Sequence, residues 1–172
     1  NNDRLNEFCN KFGIKNRYNN VDELLENEDV DAVSNTTPDA FHKEISIKAI
    51  KKNKHIFCEK PLAENFNDAK LMCEALEGKN LINMVNFSYR NSSGYQELCK
   101  MVKSGKIGNV FHMDANYYQS WLTSNYWGNW KEEDKWLWRL STKHGSKGTL
   151  GDLGVHIFDF ASFPIGKIQK LN

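Results

Sequence analysis

The chain has 172 residues, 23 basic against 22 acidic for a net charge of +1, and 40% apolar side chains. That length suits one good core, or one domain and part of another. The charge balance leaves no electrostatic footprint for nucleic acid or a membrane surface, no apolar run nears the ~20 residues of a membrane span, and no signal peptide is visible. The four cysteines, Cys9, Cys58, Cys73 and Cys99, lie far apart and form no CxxC pair. No metal or disulfide framework is therefore assigned, and reduced thiols in a cytoplasmic protein are the expectation. Sequons at Asn35, Asn86 and Asn91 are read as chance, because two of them end apolar strand-like runs. The chain opens on Asn at the start of a helical pattern and stops at Lys170-Leu171-Asn172 inside an incipient strand. Both ends are expected to continue in a longer protein.

Leu5, Phe8, Cys9 and Phe12 recur at helical spacing, and Gly13 stops that helix. Asn20 with Glu23 resembles a capping box opening a short helix. Val30 to Ser34 is an apolar, β-branched run, a buried strand, with a Thr36-Thr37-Pro38-Asp39 turn behind it. Ala40 to Lys52 is helical, and its basic end, Lys51-Lys52-Asn53-Lys54, is a solvated C-terminus where cations suit the dipole. A strand runs into Cys58, a helix covers about Asn67 to Leu76, and Leu81 to Asn86 is a further strand. The alternation predicts a parallel sheet covered on both faces.

After Phe87 the pattern changes. Tyr95, Leu98, Cys99 and Val102 mark a helix ending at Gly105. Val110 to Gln119 alternates, as a half-exposed antiparallel strand does. Residues 120–148 form a long irregular stretch holding all five tryptophans, Trp121, Trp127, Trp130, Trp136 and Trp138. Loops of that length are functional or disordered, and the tryptophans argue against disorder. A helix follows from Leu150 to Phe163. The pattern thus reads as α/β, with a parallel sheet over 1–87 and a second domain over 88–172.

Two stretches carry chemistry. Phe57-Cys58-Glu59-Lys60-Pro61-Leu62 sits where a strand hands over to a helix, the edge at which open α/β sheets bind ligands. Lys and Glu there are poorly explained by packing, and Pro61 restricts Lys60 to one backbone region. In Gly151-Asp152-Leu153-Gly154-Val155-His156-Ile157-Phe158-Asp159, residues 152 and 156 share a helical face. An imidazole titrates near neutrality and can take and return a proton, with the carboxylate orienting it or binding a hydroxyl. The same residues also fit a hydrogen-bonded core histidine and a helix-N-terminal carboxylate.

Taken together, Asp29-Val30-Asp31-Ala32-Val33, Thr37-Pro38 with His42, Cys-Glu-Lys-Pro-Leu-Ala at 58–63, Arg90, Ser104 to Gly108, Trp138-Arg139 and Gly151 to Asp159 resemble the Gfo/Idh/MocA family of nicotinamide-dependent oxidoreductases. The Tyr118-Gln119-x-Trp121-Leu122 run is similar to a sugar-oxidising branch. The resemblance implies a Rossmann domain followed by an α/β domain with a mostly antiparallel sheet, NAD or NADP as cofactor, a sugar or polyol substrate, and a homo-oligomer at full length. It implies Lys60, His156 and Asp152 as catalytic residues; Thr37, Pro38, His42, Glu59, Lys60 and Arg90 at the cofactor; and Lys60, Trp121, Arg139, Asp152 and His156 at the substrate. Arg90 and Arg139 equally fit structural ion pairs, and the tryptophans equally fit anchors of the loop, with Trp121 assigned to the pocket and Trp138 to the core. The G-x-G-x-x-G turn is absent and would lie upstream of Asn1, together with the residue separating NAD from NADP. The chain by itself is expected to be inactive. Two other functions share this fold: a redox-neutral glycosidase using tightly held NAD, and a non-catalytic binding protein.

Overall fold

The computed structural model describes residues 1–27, 29–133, 136 and 147–170. Two compact units divide the chain, Asn1–Asn86 and Phe87–Asn172.

In the first unit, Asn1 caps helix α1 (Asn2–Phe12), its Oδ1 accepting from the N–H groups of Asp3 and Arg4 at 3.0 and 3.2 Å. Gly13 closes α1 at φ +67°, a left-handed backbone that favours glycine. Asn20 opens α2 (Val21–Asn27), accepting from the Glu23 N–H at 2.8 Å, which is the forward half of the expected capping box. Strand β1 covers Ala32–Asn35, later than the apolar run suggests. Its polar end is held by hydrogen bonds described below. A single 3-10 turn, Asp39–Phe41, leads into α3 (His42–Lys51). Then come β2 (His55–Glu59), α4 (Phe66–Glu74) capped by Asn65, and β3 (Asn83–Asn86).

The strands form one parallel sheet in the order β1-β2-β3. The register places Asn35, Cys58 and Val85 abreast, with Val33, Ile56 and Asn83 one pleat earlier. The centre of this face lies beneath α3 and α4 in a core of Leu25, Ala49, Ile50, Ile56, Cys58 and Met72, while Asn83 at the start of β3 is exposed. The opposite face carries Ser34, Phe57 and Met84, and Met84 is 54% exposed. The expectation of a sheet covered on both faces is therefore corrected: among the described residues, one face is covered. The cause is topological. Right-handed crossovers between strands added successively on one side put both helices on the same face.

The second unit begins with a 3-10 turn at Ser88–Asn91, followed by α5 (Ser93–Lys103). A four-residue helix, α6 (Trp121–Ser124), lies in the tryptophan-rich stretch. The last helix opens as a widened π-type turn over Leu150–Gly154 and continues as α7 (Val155–Ile165). Helices α5 and α7 pack through Tyr95 against Phe160 and Phe163, ring centroids 5.6 and 6.2 Å apart. The Tyr95 hydroxyl donates towards the carbonyls of Asp159 and Phe160, at 3.3 and 3.2 Å. Burial, with the charges of neighbouring groups, pushes that hydroxyl up to about 12.

Along 110–119 the period-two alternation is present: Met113, Ala115 and Tyr117 are half-buried, while His112, Asp114, Asn116 and Tyr118 are exposed. Among the described residues no strand pairs with this segment, so the antiparallel sheet expected from it is not formed there. An alternating side-chain pattern fixes which way residues face, but a ladder also needs a partner. Among the described residues, no helix is long and apolar enough to cross a membrane.

Candidate active site

The carboxyl ends of β1 and β2 each give way to a turn carrying expected site residues. After β1, Asn35 is 2% exposed and fully engaged. Its Oδ1 accepts from the Thr37 hydroxyl at 2.7 Å and the Thr37 N–H at 3.4 Å, and its Nδ2 donates to the His42 carbonyl and the Ser46 hydroxyl, both at 3.2 Å. This side chain sets the shape of the Thr37-Pro38 turn. It also makes Asn35 unavailable as a glycosylation acceptor in the fold.

After β2, the Glu59 carboxylate accepts from Asn86 at the end of β3 and from the Lys60 N–H at 3.2 Å. The turn that presents Lys60 is thus tied to its own strand and to the neighbouring one. The Lys60-Pro61 peptide is cis. Lys60 itself is half-buried, Thr37 is half-buried and Pro38 exposed. A hydroxyl, an ammonium donor, a carboxylate acceptor and an apolar proline at the carboxyl edge of parallel strands fit a nicotinamide nucleotide, whose ribose and amide need such partners.

His42 is fully buried. Its Nδ1 lies 2.8 Å from the Pro61 carbonyl and its Nε2 lies 2.8 Å from the Thr37 carbonyl. Burial by itself lowers the affinity of this ring for a second proton. The Cys58 sulfur and the two carbonyls outweigh that, raising its pKa from 6.5 to about 9. A folded-state value above the unfolded one stabilises fully below about pH 6.5 and is lost as pH rises through about 9. The melting temperature of the protein is expected to fall across that window, and to fall less steeply in His42→Gln; parallel thermal melts measured by circular dichroism check both.

In the second unit His156 is 6% exposed and surrounded by aromatic rings. Tyr89 and Tyr117 meet it edge-on, with centroids 4.9 and 6.0 Å away; Phe87 does so at 6.3 Å, and Phe160 stacks at 6.3 Å. The hydroxyls of Tyr89 and Tyr117 bond each other, Gln119 donates to Tyr117, and the Trp121 indole donates to Gln119 at 2.8 Å. Burial first, then the Tyr89 hydroxyl and the charge of Asp152, push Tyr117 up to about 12. Asp152 is half-buried within the π-type turn, a local widening often found at functional sites. Gly151 has a packing reason: a Cβ there would lie 2.6 Å from the Cβ of Lys147.

Arg90 grips Asp159 with Nε at 3.1 and 3.0 Å from the two carboxylate oxygens and with Nη2, and its guanidinium lies 4.9 and 4.1 Å over the rings of Phe87 and Phe163. Of its two expected roles, this is the ion-pair one. Asp159→Ala is expected to cost about 2–3 kcal/mol, less than a fully buried pair because Arg90 keeps some contact with water; a lower urea midpoint with unchanged slope is the readout. Trp121 is 7% exposed and clustered with Trp127 and Trp136, centroids 5.8 and 5.6 Å away. Of its two expected roles, that burial favours the loop anchor. Arg139 and Trp138 lie outside the described residues. Sequence reading missed Asn35, Ser46, Tyr89 and Tyr117 as site-forming residues. Of these, only Asn35 left a trace, as a polar residue directly following an apolar run.

The sheet and its turns define a Rossmann-type nucleotide-binding protein. Residues 1–87 match the model of an oxidoreductase family with an NAD-binding Rossmann fold, and residues 95–172 match the GFO/IDH/MocA C-terminal domain. The chain belongs to the Gfo/Idh/MocA oxidoreductase family. It is 30% identical over 166 residues to levoglucosan dehydrogenase of Pseudarthrobacter phenanthrenivorans, covering 96% of this chain and 41% of that enzyme. It is 36% identical over 106 residues to myo-inositol 2-dehydrogenase of Thermotoga maritima, covering 62% of this chain and 32% of that enzyme. A levoglucosan dehydrogenase solved in complex with NADH and levoglucosan matches 97% of this chain and 43% of its own, at 30% identity and a TM-score of 0.85. The chain spans about two fifths of the length of the curated relatives it matches.

Proposed function

We propose that the whole protein transfers a hydride between a nicotinamide cofactor and a secondary alcohol or carbonyl of a sugar or polyol. The observation that carries this reading is the Glu59-Lys60-Pro61 turn, fixed at the carboxyl end of a parallel strand by Glu59 and, through Pro61, by His42. The names of the relatives, levoglucosan dehydrogenase and myo-inositol 2-dehydrogenase, support the substrate class.

When bound, the nicotinamide accepts or returns the hydride. Thr37, Pro38 and Glu59 hold the cofactor. Lys60 donates a hydrogen bond to the reacting oxygen, whose negative charge grows as the C–H bond breaks. Such fixed donors act where charge develops. His156 takes the hydroxyl proton during oxidation and returns it during reduction. Asp152, four residues earlier, binds a neighbouring hydroxyl or steadies the imidazolium. Tyr117 sets its ring edge-on against His156 while its hydroxyl bonds Tyr89 and Gln119.

The test is turnover of the purified whole protein with NAD and NADP against a panel of anhydrosugars, inositols and hexoses. Reduced cofactor formed in stoichiometry with a ketosugar supports the reading. Absence of turnover and of cofactor binding across the panel refutes it.

A further inference from the structure

His42 is the residue whose position exceeds the role expected for it. A side chain that lines a cofactor must show the cofactor a surface, and His42 shows none: it is 0% exposed. Both ring nitrogens instead face main-chain carbonyls at 2.8 Å, one in the turn after β1 and one in the turn after β2. A carbonyl accepts and never donates, so both contacts are hydrogen bonds when each nitrogen carries hydrogen. A neutral imidazole satisfies one of the two contacts and sets lone pair against lone pair at the other. The groups facing the ring are the Thr37 carbonyl from the first turn, the Pro61 carbonyl from the second and the Cys58 sulfur from β2; of these only Cys58 titrates. Asn35 and Ser46 brace the arrangement from below, through the His42 carbonyl and the Thr37 hydroxyl.

We infer that His42, donating from both ring nitrogens, is a positioning residue that fixes the spacing of the Thr37-Pro38 and Lys60-Pro61 turns and thereby sets cofactor affinity without touching the cofactor. This rests on the reading of those two turns as the nicotinamide site. It differs from a general packing role in one respect: a ring of the same volume without donors cannot replace it. Loosening the two turns weakens binding, while a cofactor once seated still meets Lys60.

Two measurements on the whole protein test it. In protein labelled with ¹⁵N at histidine, His42 is expected to show the doubly protonated nitrogen pattern at neutral pH; a neutral tautomer there overturns the inference without any substitution. In kinetics, His42→Phe is expected to raise the KM for NAD about tenfold or more, as loss of two charge-assisted bonds implies. Its kcat at saturating cofactor should fall by a smaller factor, and His42→Gln should recover part of the affinity. A folded His42→Phe with unchanged KM, or with kcat falling as far as affinity, overturns it. A wild-type protein that binds no nicotinamide cofactor sinks the proposed function instead, and the nitrogen pattern then still reports whether the two turns are bridged.

Discussion

Lys60→Ala in the whole protein is expected to lower kcat by about 10²–10³-fold, the loss typical of removing one preorganised donor from a developing oxyanion. The size of the effect follows from how the residue is held. Its N–H is bonded to Glu59, Glu59 is bonded to Asn86, and the next carbonyl is bonded to His42. Little reorganisation is then needed when charge appears on the substrate oxygen. Lys60→Met keeps the length of the side chain and removes the ammonium, so it should be as slow as the alanine variant. Unchanged turnover with cofactor bound excludes Lys60 from the chemistry.

His156 carries the second large effect. Its replacement is expected to cost about 10²–10⁴-fold in kcat, the range of general-base assistance. Because the ring is buried among Phe87, Tyr89, Tyr117 and Phe160, His156→Ala also removes packing. His156→Phe separates the two: it should be as slow as His156→Ala yet melt at a higher temperature. Combined with Lys60→Ala, the loss should be far from additive, since groups serving one step act as a unit. A double variant slower by the product of the two single effects means that the residues serve separate steps.

The local signals in the sequence were sound where a single side chain decides the backbone. Asn20 does cap α2, Gly13 does close α1 in the left-handed region, and the Glu-Lys-Pro turn does stand at the carboxyl end of a parallel strand. What was not legible depended on partners distant in the chain. Asn35 looks like the end of an apolar run, and only the folded sheet brings it onto Ser46, Thr37 and the His42 carbonyl. The facing of 110–119 was readable from its alternation, whereas pairing depends on a strand that alternation cannot name. Trp121 fits a sugar platform in the sequence because aromatic residues serve pockets and cores alike; its contact with Trp127 and Trp136 is visible only in the fold. Arg90 was open between two roles for the same reason, and Asp159, 69 residues away, engages it.

The central claim is a hydride moved from a sugar-like carbinol carbon to the cofactor, with Lys60 and His156 handling the oxygen and its proton. The most direct measurement is mass spectrometry of the reduced cofactor after reaction of the whole protein with a polyol carrying deuterium on its carbinol carbons. The account predicts one deuterium in the reduced cofactor, formed in step with ketone, and loss of that transfer in Lys60→Ala. Polyol consumed with no net reduced cofactor, or reduced cofactor free of deuterium, would contradict it.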